Sequence, residues 1–480
     1  MSSTLHRWRA FSVLAVSYFM TIVDLTIVNV ALPTIGAKLH FDTANLSWIV
    51  TAYGITFGGL LLLAGRVADL LGRRRVFMTG LALFTLASMA CGLATNDTFL
   101  IVVRAIQGAG AAIVLPAGLA IVMNMFEEGA DRNKALGAWG ALGPIGATVG
   151  LIAGGLFVRS LGWEYIFFLN VPIGLIALAL TPRVVPESRL ESAARRYDVP
   201  GGITVTASLI LAVYAIATAP QHGWGSAHPV GILIASAALL VAFFAIESLV
   251  EAPLLPMRLL RNRDVAGANA VALVLGGGFF AFLFVGTLYM QEVLHYSALA
   301  TGVAWLATSL TSLAMAGPAQ FLSTKFGVRP VLALGMLLVS GGIAFAVNVP
   351  VHGNFWGSLA LPLMVTGTGT AFAFIPISIA GLTGVTEDES GLASGLINTT
   401  QQLGGSLGVA LAATIAATRT QTLLGEHQAL GSALTGGFHA AFIAAAAIGA
   451  TGILLSLIVP RRSVVVPESP ALVLAESGVQ

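Results

Sequence analysis

The sequence predicts an all-helical polytopic membrane protein of fourteen transmembrane helices, divided six, two and six, with both termini cytoplasmic. Three observations predict it. The 480 residues are 57% hydrophobic and only 9% charged, too little charge to cover a soluble chain of this size. Apolar runs of about 20 residues, each long enough to cross a ~30 Å hydrocarbon core, recur along the whole chain. The basic residues between those runs collect on one side of the membrane.

Reading the apolar runs between charged or Gly/Pro-rich breaks places spans 1 to 6 at 10–33, 46–65, 76–95, 99–125, 134–158 and 163–181. Spans 7 and 8 are 199–219 and 229–250, and spans 9 to 14 are 265–291, 299–322, 330–349, 357–380, 390–418 and 436–459. With the amino terminus inside, 19 of the 23 Lys and Arg fall on the inner side. Lys38, Arg159 and Arg419 fall outside and Arg104 lies within a span. Cytoplasmic loops carry such an excess, and a wrong count would invert it downstream of the error. His6, Arg7 and Arg9 imitate the start of a signal peptide, but the run behind them is too long and carries Asp24 and Asn29. The net charge of +2 gives no basis for a nucleic-acid partner, and the single cysteine, Cys91, builds neither a disulfide framework nor a metal site.

An internal repeat organises the spans. GRRRVFMTG (72–80) follows span 2 and GVRPVLALG (327–335) follows span 10, their first glycines 255 positions apart. That offset superimposes spans 1–6 on spans 9–14. The predicted units are a first half at 1–190, an inserted pair at 191–258, a second half at 259–462 and a cytoplasmic tail at 463–480. Two related halves about a central site describe a secondary transporter.

Span 1 holds VDLTIVNV (23–30), an acid in an apolar run. A carboxylate in hydrocarbon costs a few kcal/mol on insertion scales, so it pairs or faces a water-filled cavity. Asp24 lies about 13 Å below the outer edge counted from Pro33, and Arg104 in span 4 about 10 Å below it. Gln107 shares the Arg104 face. The pair either orders the helices statically or forms a titrating site, since burial and a neighbouring arginine act oppositely on a carboxyl's proton. The repeat offset takes Asp24 to Phe279 and Arg104 to Leu359, so coupling chemistry is expected in the first half. Glu292, at the outer end of span 9 in YMQEVLHY, is either a wet edge residue or a group that binds substrate or a proton. Asn398, Gln401 and Gln402 occupy one face of span 13 and, with Asn29, Gln107 and Tyr289, are candidates to line a substrate cavity.

These strings resemble the fourteen-helix drug:proton antiporter family of the major facilitator superfamily over nearly the whole chain. Span 1 carries DLTIVNVALP (24–33), and the loop after span 2 carries GRVADLLGRRR (65–75). Span 4 has RAIQGAG (104–110), and FFLNVPIG (167–174) and GLINTTQQLGGSLG (395–408) are also typical of the branch. The resemblance implies the major facilitator fold, with Asp24 and Arg104 for proton coupling, beside which Glu292 stays a candidate from its position in span 9. It implies a cytoplasmic gate at Gly65, Asp69, Gly72, Arg73 and Arg74, where the i,i+4 pair Asp69 and Arg73 closes one conformation. The antiporter motif of span 5 is implied at Gly150, Gly154 and Gly155, with Leu151 where the family has proline and Pro144 two turns earlier to bend the helix.

The function so implied is export of a small lipophilic substrate, cationic or neutral, by a monomer in a bacterial-type cell membrane. The proton gradient is its energy source, with no cofactor and no metal. Sparse charge in the spans suits a substrate held by apolar contacts. Export of an endogenous metabolite or lipid, or proton symport of a solute, fits the same architecture. An enzyme does not: the histidines fall in loops or near span ends, and neither HExxH nor a nucleotide loop occurs.

Overall fold

The computed structural model describes residues 2–41, 43–126, 129–188, 198–223, 225–250, 253, 255, 257–385 and 387–460. Among them there is no strand, as hydrocarbon requires of a chain that must satisfy every backbone N–H and C=O within its own helices. Fourteen helices are long and apolar enough to cross a bilayer. Spans 1 to 6 are His6–Leu39, Trp48–Ala68, Arg73–Gly92, Asp97–Met125, Lys134–Ser160 and Tyr165–Val184. Spans 7 and 8 are Pro200–Ala219 and Ala227–Leu249. Spans 9 to 14 are Arg263–Val293, Ala298–Phe326, Val328–Asn348, Phe355–Leu382, Glu389–Gly425 and Leu430–Ile458.

Every span expected from the sequence is present, and most run longer. Span 1 does not stop at Pro33; its helix continues to Leu39, because a proline ring removes only one internal donor, the one to the Asn29 carbonyl. Span 5 likewise runs unbroken through Pro144. Span 6 is the interrupted one, with short and long helices, Tyr165–Phe168 and Asn170–Val184, meeting at Leu169. Span 9 ends in a π turn, Tyr289–Val293, and span 12 begins with another, Phe355–Leu359. Such a turn inserts one residue and rotates the chain beyond it.

Burial grades the spans. The most apolar stretch of span 9 is 78% buried inside the protein and that of span 8 only 17%, so span 9 is central and span 8 peripheral. Span 7 packs on spans 2 and 13 together, with Ile55, Val213 and Ala410 sharing one apolar cluster. Span 8 is held to it by Ser208 and Ser236, each hydroxyl donating to the other residue's carbonyl at 2.8 and 2.7 Å.

Across the other seam, spans 5 and 10 touch closely toward the Leu39 end of the bundle. There a Cβ on Gly155 would strike the backbone of Leu299, and one on Gly302 the backbone of Leu151, the close approach that small residues permit in membranes. Gln291 of span 9 donates to the Val30 carbonyl of span 1 at 2.9 Å at the same end. Toward the opposite end Gly137 and Gly140 of span 5 and Gly317 of span 10 have nothing within 4 Å of where a Cβ would stand.

Candidate functional site

Asp24 is fully buried, as are Arg104 and Gln107. Its Oδ2 accepts from Arg104 Nη1 at 2.6 Å, and its Oδ1 accepts from Gln107 Nε2 and from Asn170 Nδ2, each at 2.8 Å. The three donors come from spans 4 and 6. Span 3 adds Ser88, whose Oγ accepts from Gln107 Nε2 at 3.0 Å and Asn170 Nδ2 at 2.9 Å and donates to the Phe167 carbonyl at 3.1 Å. Span 2 adds the Ile49 carbonyl, which accepts from Arg104 Nε at 3.0 Å, and the Tyr53 ring, 4.3 Å from the guanidinium carbon. Five spans therefore build one closed network around a single carboxylate.

The local sequence explains the assembly. RAIQ places Arg104 and Gln107 one turn apart, so the two side chains meet the same partner, and Arg104 Nη1 also donates to Gln107 Oε1 at 2.7 Å. The break at Leu169 starts the long helix of span 6 at Asn170, which turns its amide inward. A buried ion pair is tolerated only when its remaining lone pairs and protons are also satisfied. Here the carboxylate has three donors. The guanidinium keeps one nitrogen, Nη2, without a hydrogen bond, above the Tyr53 ring, where the aromatic face attracts a cation.

The other predicted residues are dispersed. Glu292 sits half-buried in the π turn of span 9, apart from Asp24, and no ion pair reaches it among the described residues. Three cavity candidates are enclosed in protein instead. Asn29 is 2% exposed and donates back to its own helix at Leu25, the usual fate of a short amide lacking a partner across the helix. Gln107 belongs to the Asp24 network. Tyr289 is buried, its hydroxyl donating to the Pro350 carbonyl at 2.6 Å. Asn398, Gln401 and Gln402 are half-buried on span 13, and Asn398 donates to Ser394 of its own helix. The span-5 glycines do pack closely: Gly150 against Val23 and Thr26, Gly154 against Ile27, both on span 1, and Gly155 against span 10. Pro144 is exposed.

At the loop after span 2 the Asp69 side chain lies outside the described residues. Gly72 has φ +108°, a conformation that favours glycine, while Gly65 lies against Pro116 of span 4. Arg73 donates its backbone N–H to Ser188 at 2.9 Å, and Arg74 its own to Glu187 at 3.0 Å. The Arg74 and Arg75 side chains flank the same carboxylate at 3.7 and 3.6 Å. The chain leaving span 6 is thus tied to this loop.

Sequence reasoning missed Asn170, Ser88, Tyr53 and Glu187. Asn170 carried a signal, as an amide inside the branch-typical string FFLNVPIG. Ser88 and Tyr53 carried none, because a serine or tyrosine in a span is common and only the fold brings them to Asp24.

Comparison with known proteins gives a consistent set of likenesses. The model of the Major Facilitator Superfamily matches residues 14–409 and 269–474. The chain is 35% identical over 452 residues to the puromycin resistance protein pur8 of Streptomyces alboniger, covering 94% of this chain and 89% of that one. It is 35% identical over 407 residues to the cephamycin export protein CmcT of Amycolatopsis lactamdurans, covering 84% of each. Among solved structures it resembles the nucleoside transporter NupG with a TM-score of 0.67 at 13% identity, covering 95% of this chain and 99% of that one. A bacterial homologue of the human lysosomal transporter Spinster, inward-facing and unoccupied, gives 0.65 at 14% identity over 94% and 97%. At those identities the structural likeness concerns the fold alone.

Proposed function

The chain belongs to the major facilitator superfamily, and on that premise we propose that it exports small lipophilic compounds from the cytoplasm in exchange for protons. It is a secondary transporter of the cell membrane. The observation that carries the coupling is the buried Asp24, paired with Arg104 and enclosed by donors from neighbouring spans. A group bound to so many helices of one half makes their relative positions depend on its charge. Binding a proton at Asp24 removes the charge that the Arg104 bond rests on, so the packing of spans 1, 4 and 6 changes with it. The halves, taken as 1–190 and 259–462 with spans 7 and 8 between them, then alternate between a form open to one side of the membrane and a form open to the other. In the orientation that the basic loops favour, the Leu39 end is the outer one.

The substrate class rests on the relatives, named for resistance to or export of puromycin and cephamycin, and on apolar spans that offer few charges to a ligand. Glu292 at the outer end of span 9 is a second proton-binding candidate, and Asn398, Gln401 and Gln402 remain candidates to line the cavity. Relatives named for export also support a second reading, that the cargo is a compound the cell itself makes.

The test is a drug-susceptibility panel in a pump-deficient host, with transport in everted vesicles. Wild type should raise resistance and accumulate the exported drug while dissipating an inward proton gradient. Asp24→Asn should do neither. Resistance and coupling left intact by Asp24→Asn would sink the site assignment, and co-uptake with protons in whole cells would sink export.

A further inference from the structure

We propose that Asn170 reads the protonation state of Asp24 by turning its side-chain amide, and that the Ser88 hydroxyl turns with it. The inference rests on the reading of Asp24 as the proton-binding group and adds the residue that passes its state to span 6.

The argument is one of hydrogen-bond polarity. An ionised carboxylate only accepts, and all three of its side-chain partners, Arg104, Gln107 and Asn170, present nitrogen to it. A protonated carboxyl carries one O–H that needs an acceptor, and a buried O–H left without one is costly. Something in the shell must reverse. Arg104 cannot, because a guanidinium has no acceptor. Gln107 is held at both ends. Its Nε2 donates to Asp24 and Ser88, while its Oε1 accepts from Arg104 at 2.7 Å and from the Cys91 thiol at 3.6 Å. Turning it would press an NH2 group against the guanidinium.

Asn170 is free of that constraint. Its Nδ2 serves both Asp24 Oδ1 and Ser88 Oγ, and nothing among the described residues donates to its Oδ1. A half-turn of the amide brings Oδ1 to the place where a proton on Asp24 Oδ1 would point. Ser88 must then give as well as accept. Its Oγ keeps the bond from Gln107, and its proton moves from the Phe167 carbonyl to Asn170 Oδ1. The only covalent change is the O–H formed on Asp24 from a water-borne proton, and the same bond breaks when that proton leaves on the other side.

The consequence is mechanical. The Phe167 carbonyl belongs to the short helix Tyr165–Phe168, two residues before the break at Leu169. Its bond to Ser88 ties span 3 to that helix, and the turn releases it. The titratable or charged groups facing Asp24 are Arg104 from span 4, Tyr53 from span 2 and Cys91 from span 3. Span 5 meets span 1 here through glycines, and span 6 brings only the neutral Asn170.

Infrared difference spectra of the purified full-length protein in lipid nanodiscs, low pH minus high pH, test this without a substrate. Wild type should show a carboxylic-acid C=O signal together with a side-chain amide C=O signal, both with one pH midpoint. Asp24→Asn should lose both, and Asn170→Leu only the amide signal. Ser88→Ala, which removes a single oxygen and keeps the packing, should move the shared midpoint by roughly half a pH unit, and Ser88→Thr should restore it. A carboxyl signal that survives Asp24→Asn overturns the reading of Asp24 itself. A carboxyl signal lost in Asp24→Asn but unaccompanied by an Asn170 amide signal, or a midpoint unmoved by Ser88→Ala, overturns the turn of Asn170 and leaves Asp24 standing.

Discussion

The two halves proposed from the sequence repeat differ at corresponding positions. In the first half Arg104 and Gln107 meet Asp24 in a hydrogen-bonded network. The repeat offset of 255 takes those positions to Leu359, Pro362 and Phe279. Leu359 and Pro362 border a small apolar void, about the size of a water molecule, lined also by Phe282, Tyr289, Trp305 and Phe442. Where one half keeps a charge, the other keeps apolar side chains. Buried polar bonds between spans of the second half include neutral ones such as Trp305 Nε1 to Thr287 Oγ1 at 3.0 Å and Thr400 Oγ1 to Asn269 Oδ1 at 3.0 Å. The fold therefore does not need the charged network to pack. An ion pair kept where a Leu and a Phe suffice has a use other than stability.

The strongest way to break that comparison is to make the first half resemble the second. Arg104→Leu alone leaves a buried carboxylate without its cation and should cost about 3–5 kcal/mol, read as a fall in the detergent melting temperature. Asp24→Leu combined with Arg104→Leu should recover most of that loss, because replacing a buried pair by apolar residues is often neutral or stabilising. It should recover none of the transport. A double variant as unstable as the single would mean that the pair is there for packing after all.

A smaller effect probes the second half. Trp305→Phe leaves the buried Thr287 hydroxyl without its indole partner and enlarges the void, for a cost of roughly 1–3 kcal/mol. The pH dependence of transport should stay that of wild type. A displaced pH profile would show that proton chemistry is shared between the halves and remove the asymmetry.

How much of this is legible in the sequence divides along the same line. The fourteen spans can be read because a helix in hydrocarbon must be about 20 apolar residues long, and the chain obeys that. Asp24 and Arg104 can be paired because charges in a membrane are rare enough to find one another, and helical rise puts them at one depth. Asn170 and Ser88 cannot, since neutral polar residues in spans are common and their partners depend on a break at Leu169 that no proline marks. Proline misleads once. Pro33 does not end span 1, because neighbouring helices support a span after one internal hydrogen bond is gone. The π turns of spans 9 and 12 leave no pattern in the sequence, and one of them decides where Glu292 and Gln291 lie.

That π turn supplies the smallest test, at a place belonging to both halves. Gln291 carries no signal in the sequence, yet its Nε2 reaches across to the Val30 carbonyl of span 1 at 2.9 Å, six residues beyond Asp24 on the same helix. Gln291→Met keeps the length of the side chain and removes the donor. One such hydrogen bond contributes about 1 kcal/mol net, a factor of about five in the ratio of closed to open forms at the Leu39 end. Because the only native cysteine, Cys91, is buried, a cysteine placed at Leu299, under Gly155 in the seam, is a clean reporter. A membrane-impermeant maleimide should label it about five times faster in Gln291→Met than in its parent. Asp24→Asn on the same background should change the rate as well, since span 1 carries both the proposed proton site and the carbonyl that Gln291 holds. Labelling altered by Gln291→Met but indifferent to residue 24 would confine the proton's influence to the first half. Labelling altered by both makes span 1 the element through which the charged half moves the uncharged one.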